Sequence, residues 1–131
     1  MSETMEELAR RVTPLTVLPD ISEAVEMYLA LGFEPVDSGD AGCVGLRAGH
    51  SYQLLATKAF MERQFSPWTV AVLLNRTTPY IYVASLDEAK SRLSPLAAIV
   101  EQSPVRDGVR EAVIDADGQY LLLAEKVGVE E

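Results

Sequence analysis

The sequence predicts an α+β protein built from two tandem β-α-β-β-β modules, and three observations predict it. The first is an internal repeat, in which the stretch starting at Thr13 matches the stretch starting at Thr78 at a constant offset of 65 residues (78 − 13) in a chain of 131. The second is a helix-start pattern after the leading strand of each copy. The third is an Asp-x-Asp-Gly turn at Asp115–Gly118, between two apolar runs, which is typical of a β-hairpin.

The first module covers residues 12–57, and each of its elements follows from a local pattern. The β-branched run Thr13–Leu18 predicts a strand. Asp20 followed by Glu23 predicts a helix N-cap with a capping box, and Gly32 can end that helix in the left-handed conformation. Residues at helical spacing form the predicted buried face: Ile21, Ala24, Val25, Tyr28 and Leu29. The strands predicted after this helix are residues 33–36, 41–48 and 51–57, with a turn at Gly49-His50.

The second module covers residues 78–126 and repeats the same order. Its capping box is Ser85 with Glu88, and its predicted helix buries Leu86, Ala89 and Leu93. Its later strands are predicted at residues 98–101, 109–114 and 120–125. The linker, residues 58–77, reads as helix over Lys58–Phe65 and as a break at Ser66-Pro67-Trp68, while residues 69–76 suit either helix or strand. Residues 1–11 form a predicted acidic arm with a helical turn or two.

Composition bounds the class of protein. A length of 131 residues suits one domain, here residues 12–131, and 48% hydrophobic with 24% charged residues is typical of soluble proteins. No run of 18 apolar residues occurs, and the N-terminus is acidic where a signal peptide is basic and then apolar. We therefore predict a cytoplasmic protein with no membrane association.

Charge and the reactive side chains limit the chemistry. The net charge of −9 disfavours nucleic acid and anionic membranes as partners and favours a cationic ligand. With one cysteine and one histidine the chain can form neither an internal disulfide nor a Cys/His zinc site. Cys43 is interpreted as a small buried hydrophobe or a reactive thiol, and His50 as a turn residue or a general base.

The duplicated chain resembles the vicinal-oxygen-chelate superfamily, which includes glyoxalase I, extradiol dioxygenases, fosfomycin-resistance enzymes and bleomycin-resistance proteins. The resemblance covers Thr13 to Glu125. It rests on the duplication, on the helix phrase from Ala24 to Phe33, which is similar to the Ala-x-x-Phe-Tyr-x-x-x-Leu-Gly-Phe of that family, and on the closing Asp-x-Asp-Gly turn. It implies curved mixed sheets around a cleft, the glyoxalase/bleomycin-resistance-like fold, and a homodimer.

The resemblance also implies where a metal would bind. In metal-using members the ligands come from the start of the first strand and from the last strand of each module. Here those positions are Thr13, Thr78, Leu122 and either Leu54 or Gln53. Threonine and leucine offer a divalent cation almost no donors, so we expect no metal at the family site and no cofactor. A metal held by other residues, such as His50 or Glu111, remains an alternative.

Strand alternation predicts a ligand-binding surface. If Thr78 faces the cleft, then Tyr80 and Tyr82 also face it, and Tyr120 shares a face with Leu122 as Tyr52 does with Leu54. Trp68 on the linker would add a further ring, and one of the adjacent pair Arg110 and Glu111 would point into the pocket. The alternative is that these rings fill the core.

Three functional hypotheses follow. The first is a metal-free small-molecule-binding protein that resembles bleomycin-resistance-type sequestering proteins and takes a cationic or aromatic ligand. The second is a glyoxalase-, dioxygenase- or fosfomycin-resistance-like enzyme with an atypical metal site or a metal-free acid-base site. The third is a structural or regulatory module whose cleft is closed by side chains.

Overall fold

A computed structural model describes residues 8–106 and 108–127, without the side chains of residues 37–39. The chain divides into two compact units. The first unit is Thr13–Thr78. The second unit comprises the described residues of Met1–Val12 and Pro79–Glu131. The described residues form eight strands and four helices.

Strand β1 (Ala9–Leu18) crosses the boundary between the units, and its part from Thr13 onward belongs to the first unit. The other elements of the first unit are α1 (Ser22–Ala30), β2 (Glu34–Asp40), β3 (Cys43–Ala48), β4 (Ser51–Thr57), α2 (Lys58–Met61) and α3 (Pro67–Leu73). Its strands lie in the order β2-β3-β4-β1. β1 is parallel to β4, with Leu15 opposite Leu54, and the other pairs are antiparallel.

Strand β5 (Arg76–Val83) also crosses the boundary, and its part from Pro79 onward belongs to the second unit. The other elements of the second unit are α4 (Leu86–Leu93), β6 (Ala98–Gln102), β7 (Val109–Ala116) and β8 (Gln119–Lys126). Its strands lie in the order β5-β8-β7-β6, and β5 is parallel to β8, with Tyr80 opposite Leu122. The same connectivity in both units confirms the predicted α+β fold of two β-α-β-β-β modules.

The start of the chain belongs to the second unit. The backbone N–H of Ala84 donates to the carbonyl of Leu8 at 2.8 Å. The predicted helical turn in the arm is therefore wrong at Leu8 and Ala9, because strand β1 begins at Ala9. The rest of that predicted turn lies outside the described residues.

Helices α1 and α4 each pack against the sheet strands of their own unit. α4 covers a core that includes Val83, Leu86, Ala112, Ile114 and Leu123. In the first unit, Ile21 of the helix start packs with Leu46 and Leu55 of the sheet, with Ala24, Val25 and Tyr28 beside them. Leu29, predicted on the buried face, is exposed, since it lies at the edge of the helical stripe.

The two helix starts differ. Ser85 caps α4 as predicted, because its Oγ accepts from the N–H of Glu88 at 3.1 Å. In α1 the N-cap is Ile21, with no side-chain cap, and the prediction that Asp20 caps the helix is wrong. Asp20 instead accepts from the N–H of Ser22 at 2.9 Å, which closes a local turn before the helix.

The linker is more helical than predicted after Pro67 and less helical before it. α2 ends at Met61 instead of Phe65, and it is capped by the Thr57 hydroxyl, which accepts from the N–H of Phe60 at 3.0 Å. Pro67 starts α3 instead of breaking the chain, because proline at the first helical turn has no amide hydrogen to leave unpaired. Residues 69–76, for which the sequence allowed either helix or strand, are helical up to Leu73, and strand β5 begins at Arg76.

The closing hairpin has the predicted turn. Asp117 and Gly118 both have positive φ, at 59° and 90°, and the N–H of Gly118 donates to Asp115 Oδ1 at 2.9 Å. Positive φ at both central residues matches the right-handed twist of the two strands. The turn thereby fixes the register of β7 against β8, in which Tyr120 lies opposite Asp115 and Leu122 opposite Val113. Within the described residues, no helix has both the length and the apolar content to cross a bilayer.

Candidate functional site

One face of the second unit collects most of the predicted ligand-binding residues. Leu121 and Leu123 pack on the α4 side of the sheet, so the residues between and beside them in the strand point the other way. Strand pairing extends that opposite face to β5 and β7. We call it the tyrosine face, and its members used below are Tyr80, Tyr82, Glu111, Val113, Tyr120, Leu122 and Ala124.

A buried pair of polar groups lies on this face. The Tyr80 hydroxyl donates a hydrogen bond to Glu111 Oε2, and only 8% of the Glu111 surface is exposed. Burial raises the pKa of the Glu111 carboxyl, and the hydrogen bond from Tyr80 opposes that rise. The pKa of the Tyr80 phenol is raised as well, first by burial and then by the neighbouring carboxylate. Tyr80 is therefore held as a hydrogen-bond donor, and the raised pKa means that Glu111 binds a proton more tightly than an exposed glutamate does.

The backbone of Glu111 is fixed independently of its side chain. Its N–H donates to the Ser103 hydroxyl at 3.0 Å, and its carbonyl accepts from the N–H of Ser103 at 2.7 Å. Ser103 follows β6 directly, so these two bonds tie β7 to the chain beyond that strand. The position of the carboxyl is therefore set by the sheet as well as by Tyr80.

Tyr82 lies beside Tyr80 and is the aromatic member of a basic cavity. The two rings are 5.4 Å apart between centroids and meet edge to face. The guanidinium carbon of Arg11 is 5.1 Å from the centroid of the Tyr82 ring, and Lys126 Nζ is 5.4 Å from it. These side chains, with Arg10, Val83 and Ala84, line a cavity of about 520 Å³.

Arg110 lies on the other side of the sheet from Glu111, as alternation predicts. Its Nη2 is 3.1 Å from Glu125 Oε1 and 3.5 Å from Asp87 Oδ2. The same Glu125 oxygen accepts from the N–H of Leu86 at 2.9 Å, at the start of α4. Arg110 is thus joined to the helix start, and Glu111 is the member of the pair on the tyrosine face.

Two other predicted site residues belong to the first unit. Tyr52 on β4 is 39% exposed and lies opposite Arg47 of β3. The pKa of Arg47 is raised, first by its hydrogen bond with Glu34 and then by Tyr52. Trp68 is on α3 and 71% exposed.

The family metal positions carry few donors. Thr13 and Thr78 are buried, and no surface of Leu122 is exposed. The strand pairing selects Leu54 over Gln53, because Leu15 lies opposite Leu54 as Tyr80 lies opposite Leu122, whereas Gln53 donates to the Thr16 hydroxyl at 3.0 Å. Two hydroxyls and two hydrocarbon side chains do not fit a divalent cation. In the part of the chain that the structure describes, no three His, Cys, Asp or Glu side chains are grouped for a metal.

The remaining reactive residues lie in the first unit. His50 is exposed in the turn after Gly49, which has a φ of 63°. Cys43 is half-buried on β3 opposite Ala56, the position that corresponds to Glu111 opposite Ala124 in the second unit. The two modules therefore carry a thiol and a carboxyl at equivalent sites.

Sequence reasoning missed Arg11 and Lys126. Arg11 falls in the stretch predicted as an acidic arm, and Lys126 follows the last predicted strand. The adjacent arginines at residues 10 and 11 are a local basic pair within that arm. This pair was the sequence signal for a basic site, but the acidic residues of the arm obscured it.

Comparison with solved structures places this geometry in a known fold. A glyoxalase/bleomycin resistance protein/dioxygenase superfamily member from Vibrio splendidus 12B01 is 14% identical over 88% of this chain and 97% of that chain, with a TM-score of 0.58. Methylmalonyl-CoA epimerase from Mycobacterium tuberculosis is 18% identical over 92% of this chain and 91% of that chain, with a TM-score of 0.60. A hypothetical protein from Bacillus halodurans C-125 is 16% identical over 92% and 97%, with a TM-score of 0.61.

No protein-family model and no curated protein sequence matches this chain. The structural likeness nevertheless extends over most of its length. The chain therefore has the fold of the glyoxalase/bleomycin-resistance/dioxygenase, or vicinal-oxygen-chelate, superfamily. Since one fold hosts many activities, function has to be argued from the side chains.

Proposed function

We propose that the protein binds a small organic molecule with a planar, partly aromatic group on the tyrosine face, without a metal at the family positions. The observation that carries the proposal is Tyr82, whose ring lines a cavity of about 520 Å³. That volume is within the range of small-molecule sites. Of the named members of the tyrosine face, Tyr82 lines this cavity, whereas Glu111, Val113, Leu122 and Ala124 are buried. The ligand would therefore contact the tyrosine face at Tyr82.

The surroundings of Tyr82 favour binding because they are held in place. Tyr80 is fixed by its hydrogen bond to Glu111 and meets Tyr82 edge to face. Rings that are ordered before the ligand arrives lose less side-chain freedom on binding. A tyrosine also offers an apolar ring and a hydroxyl, which together can orient a planar ligand.

The proposal includes a sequestering role of the bleomycin-resistance type, a homodimer and a cytoplasmic location, all of which extend the sequence-based expectations. The sequestering role is supported by the lack of metal-binding side chains at the family metal positions and by the cavity beside the Tyr82 ring. The local lining of that cavity is basic, and it opposes the cationic ligand that the net charge predicts.

A second candidate function is metal-free acid-base catalysis. It is favoured by the Glu111 carboxyl, whose pKa is raised by burial and which accepts a hydrogen bond from Tyr80. A carboxyl of this kind is suited to accept and return a proton at a bound substrate. Turnover that Glu111→Gln abolishes while ligand affinity is retained would establish this function instead of sequestration.

The test of the proposed function is a thermal-shift panel that contains divalent metals and planar anionic, neutral and cationic organic compounds. We expect an organic compound to raise the melting temperature, because a ligand at one hundred times its Kd stabilises the folded state by about 2.7 kcal/mol. In Tyr82→Ala the affinity should fall about tenfold or more, since an aromatic contact of about 1.5 kcal/mol corresponds to that factor.

Tyr52→Ala is the matched control, because it removes a partly exposed tyrosine of the first unit. It should leave the shift unchanged. Stabilisation by a divalent metal alone, or an equal response in both variants, would contradict the proposal.

A further inference from the structure

We propose that the cavity beside Tyr82 binds an oxyanion group of the ligand, a carboxylate or a phosphate, through Arg11 and Lys126. The inference rests on the proposed function and specifies its ligand as a planar organic anion. It assigns a role to two residues that belong to none of the predicted sites.

Most basic residues of this chain already have partners. Six of the eleven form ion pairs: Arg47, Lys58, Arg63, Lys90, Arg92 and Arg110. Arg10, Arg76 and Arg106 have interactions of their own. In residues 8–106 and 108–127, Arg11 and Lys126 form no ion pair with a carboxylate, and each contacts the Tyr82 ring. Two cations thus meet at one ring without a carboxylate partner among the described residues.

The two cations come from different strands and meet at one place. Arg11 lies near the start of β1 and Lys126 is the last residue of β8, and both side chains are exposed. Both lie within 5.4 Å of the centroid of the same ring and line the same cavity. A guanidinium offers a planar fork that matches the oxygens of a carboxylate or phosphate, and an ammonium adds a point charge.

The charges close to the cavity, more than the net charge of the chain, determine whether an anionic or a cationic ligand is favoured. The net charge of −9 belongs to the whole chain, and exposed charges further away than about 8 Å are largely screened at physiological ionic strength. Among the residues that the structure describes, the charged ones that line the cavity are Arg10, Arg11 and Lys126. An organic cation would be repelled by this lining, whereas an oxyanion would gain charge-assisted hydrogen bonds.

The test is isothermal titration calorimetry on the full chain with phenyl phosphate and benzoate as probes. Benzyl alcohol serves as the neutral analogue, phenyltrimethylammonium as the cationic one, and inorganic phosphate as the anion without a ring. We expect phenyl phosphate and benzoate to bind more tightly than the other three probes. Arg11→Gln and Lys126→Gln should each weaken their binding about tenfold, the factor that corresponds to one charge-assisted hydrogen bond.

The matched control is Lys58→Gln, which removes the same charge from the surface of the first unit. It should leave the affinity unchanged, and Lys126→Arg should restore most of the binding lost in Lys126→Gln. Rescue by arginine separates the loss of charge from a failure to fold.

The outcomes separate this inference from the function on which it rests. If benzyl alcohol or phenyltrimethylammonium binds as tightly as benzoate, the oxyanion site is overturned and small-molecule binding stands. If inorganic phosphate binds as tightly as phenyl phosphate, the oxyanion site stands and the planar ligand is overturned. If no probe binds, both proposals are overturned.

Discussion

Replacement of Leu122 by alanine is expected to lower the free energy of unfolding by about 2–5 kcal/mol, the cost of a cavity left by a buried leucine. Leu122 has no exposed surface and lies between its strand partners Tyr80 and Val113. The change is measured by urea unfolding of both proteins. Leu96→Ala is the control, because Leu96 is 73% exposed and its truncation should change stability by no more than about 0.5 kcal/mol.

The result bears on how the family metal position is used in this chain. A large loss would identify Leu122 as a core residue at a position where the resemblance implies a metal ligand. A loss as small as that of Leu96→Ala would contradict this account, since it would mean that the side chain is not packed and that the position is open to a ligand.

Tyr80→Phe is expected to destabilise the protein at neutral pH by about 1–3 kcal/mol, because it leaves the buried Glu111 carboxyl without the phenol that donates to it. The ring and its edge-to-face contact with Tyr82 are retained in phenylalanine. Urea unfolding of the variant and the natural protein, over a pH series from below 4.5 to neutrality, measures the difference.

The pH dependence of this difference has a definite sign. The pKa of Glu111 is raised from 4.5 by burial, so the folded state binds more protons than the unfolded state above that pH. The contribution of Glu111 is therefore most favourable below pH 4.5 and falls as the pH rises toward the folded pKa. The Tyr80 hydrogen bond lowers the pKa of Glu111, so its loss extends the fall to higher pH. The cost of Tyr80→Phe should grow as the pH rises.

Tyr28→Phe provides the control for the same chemical change. Tyr28 packs against the core of the first unit and meets Phe33 edge to face, and its hydroxyl makes no hydrogen bond with residues 8–106 or 108–127. Its removal should cost little at every pH. A cost for Tyr80→Phe that is equal to this control, or that shrinks with rising pH, would show that the hydroxyl and the carboxyl do not interact as described.

Much of the fold was predictable because its determinants are local or repeated. The duplication at Thr13 and Thr78 predicts two copies of one module, and the Ser85 cap and the Asp115–Gly118 turn act within three residues. Hydrophobic spacing identifies which face of α4 is buried. Local signals compete at Asp20 and Pro67. An aspartate suits a helix cap as well as a turn, and a proline suits a chain break as well as the first residue of a helix. The sequence alone did not decide between these structures.

The candidate site was predictable only as far as strand alternation extends. The alternation of side chains along a strand predicted that Tyr80 and Tyr82 lie on one face and that Glu111 lies on the opposite face from Arg110. Both placements are observed. The hydrogen bond between Tyr80 and Glu111 depends on which strands are neighbours and in what register. The meeting of Arg11 and Lys126 at Tyr82 joins three strands far apart in sequence, which no local pattern encodes.

The central claim, that a small molecule binds at the tyrosine face, is tested most directly by NMR mapping of backbone amides during titration with the best compound of the thermal-shift panel. The account predicts that the largest shift changes cluster at Arg11, Tyr80, Tyr82 and Lys126. Changes confined to the α4 side of the sheet, at Leu93, Leu121 and Leu123, or to the first unit, would contradict it.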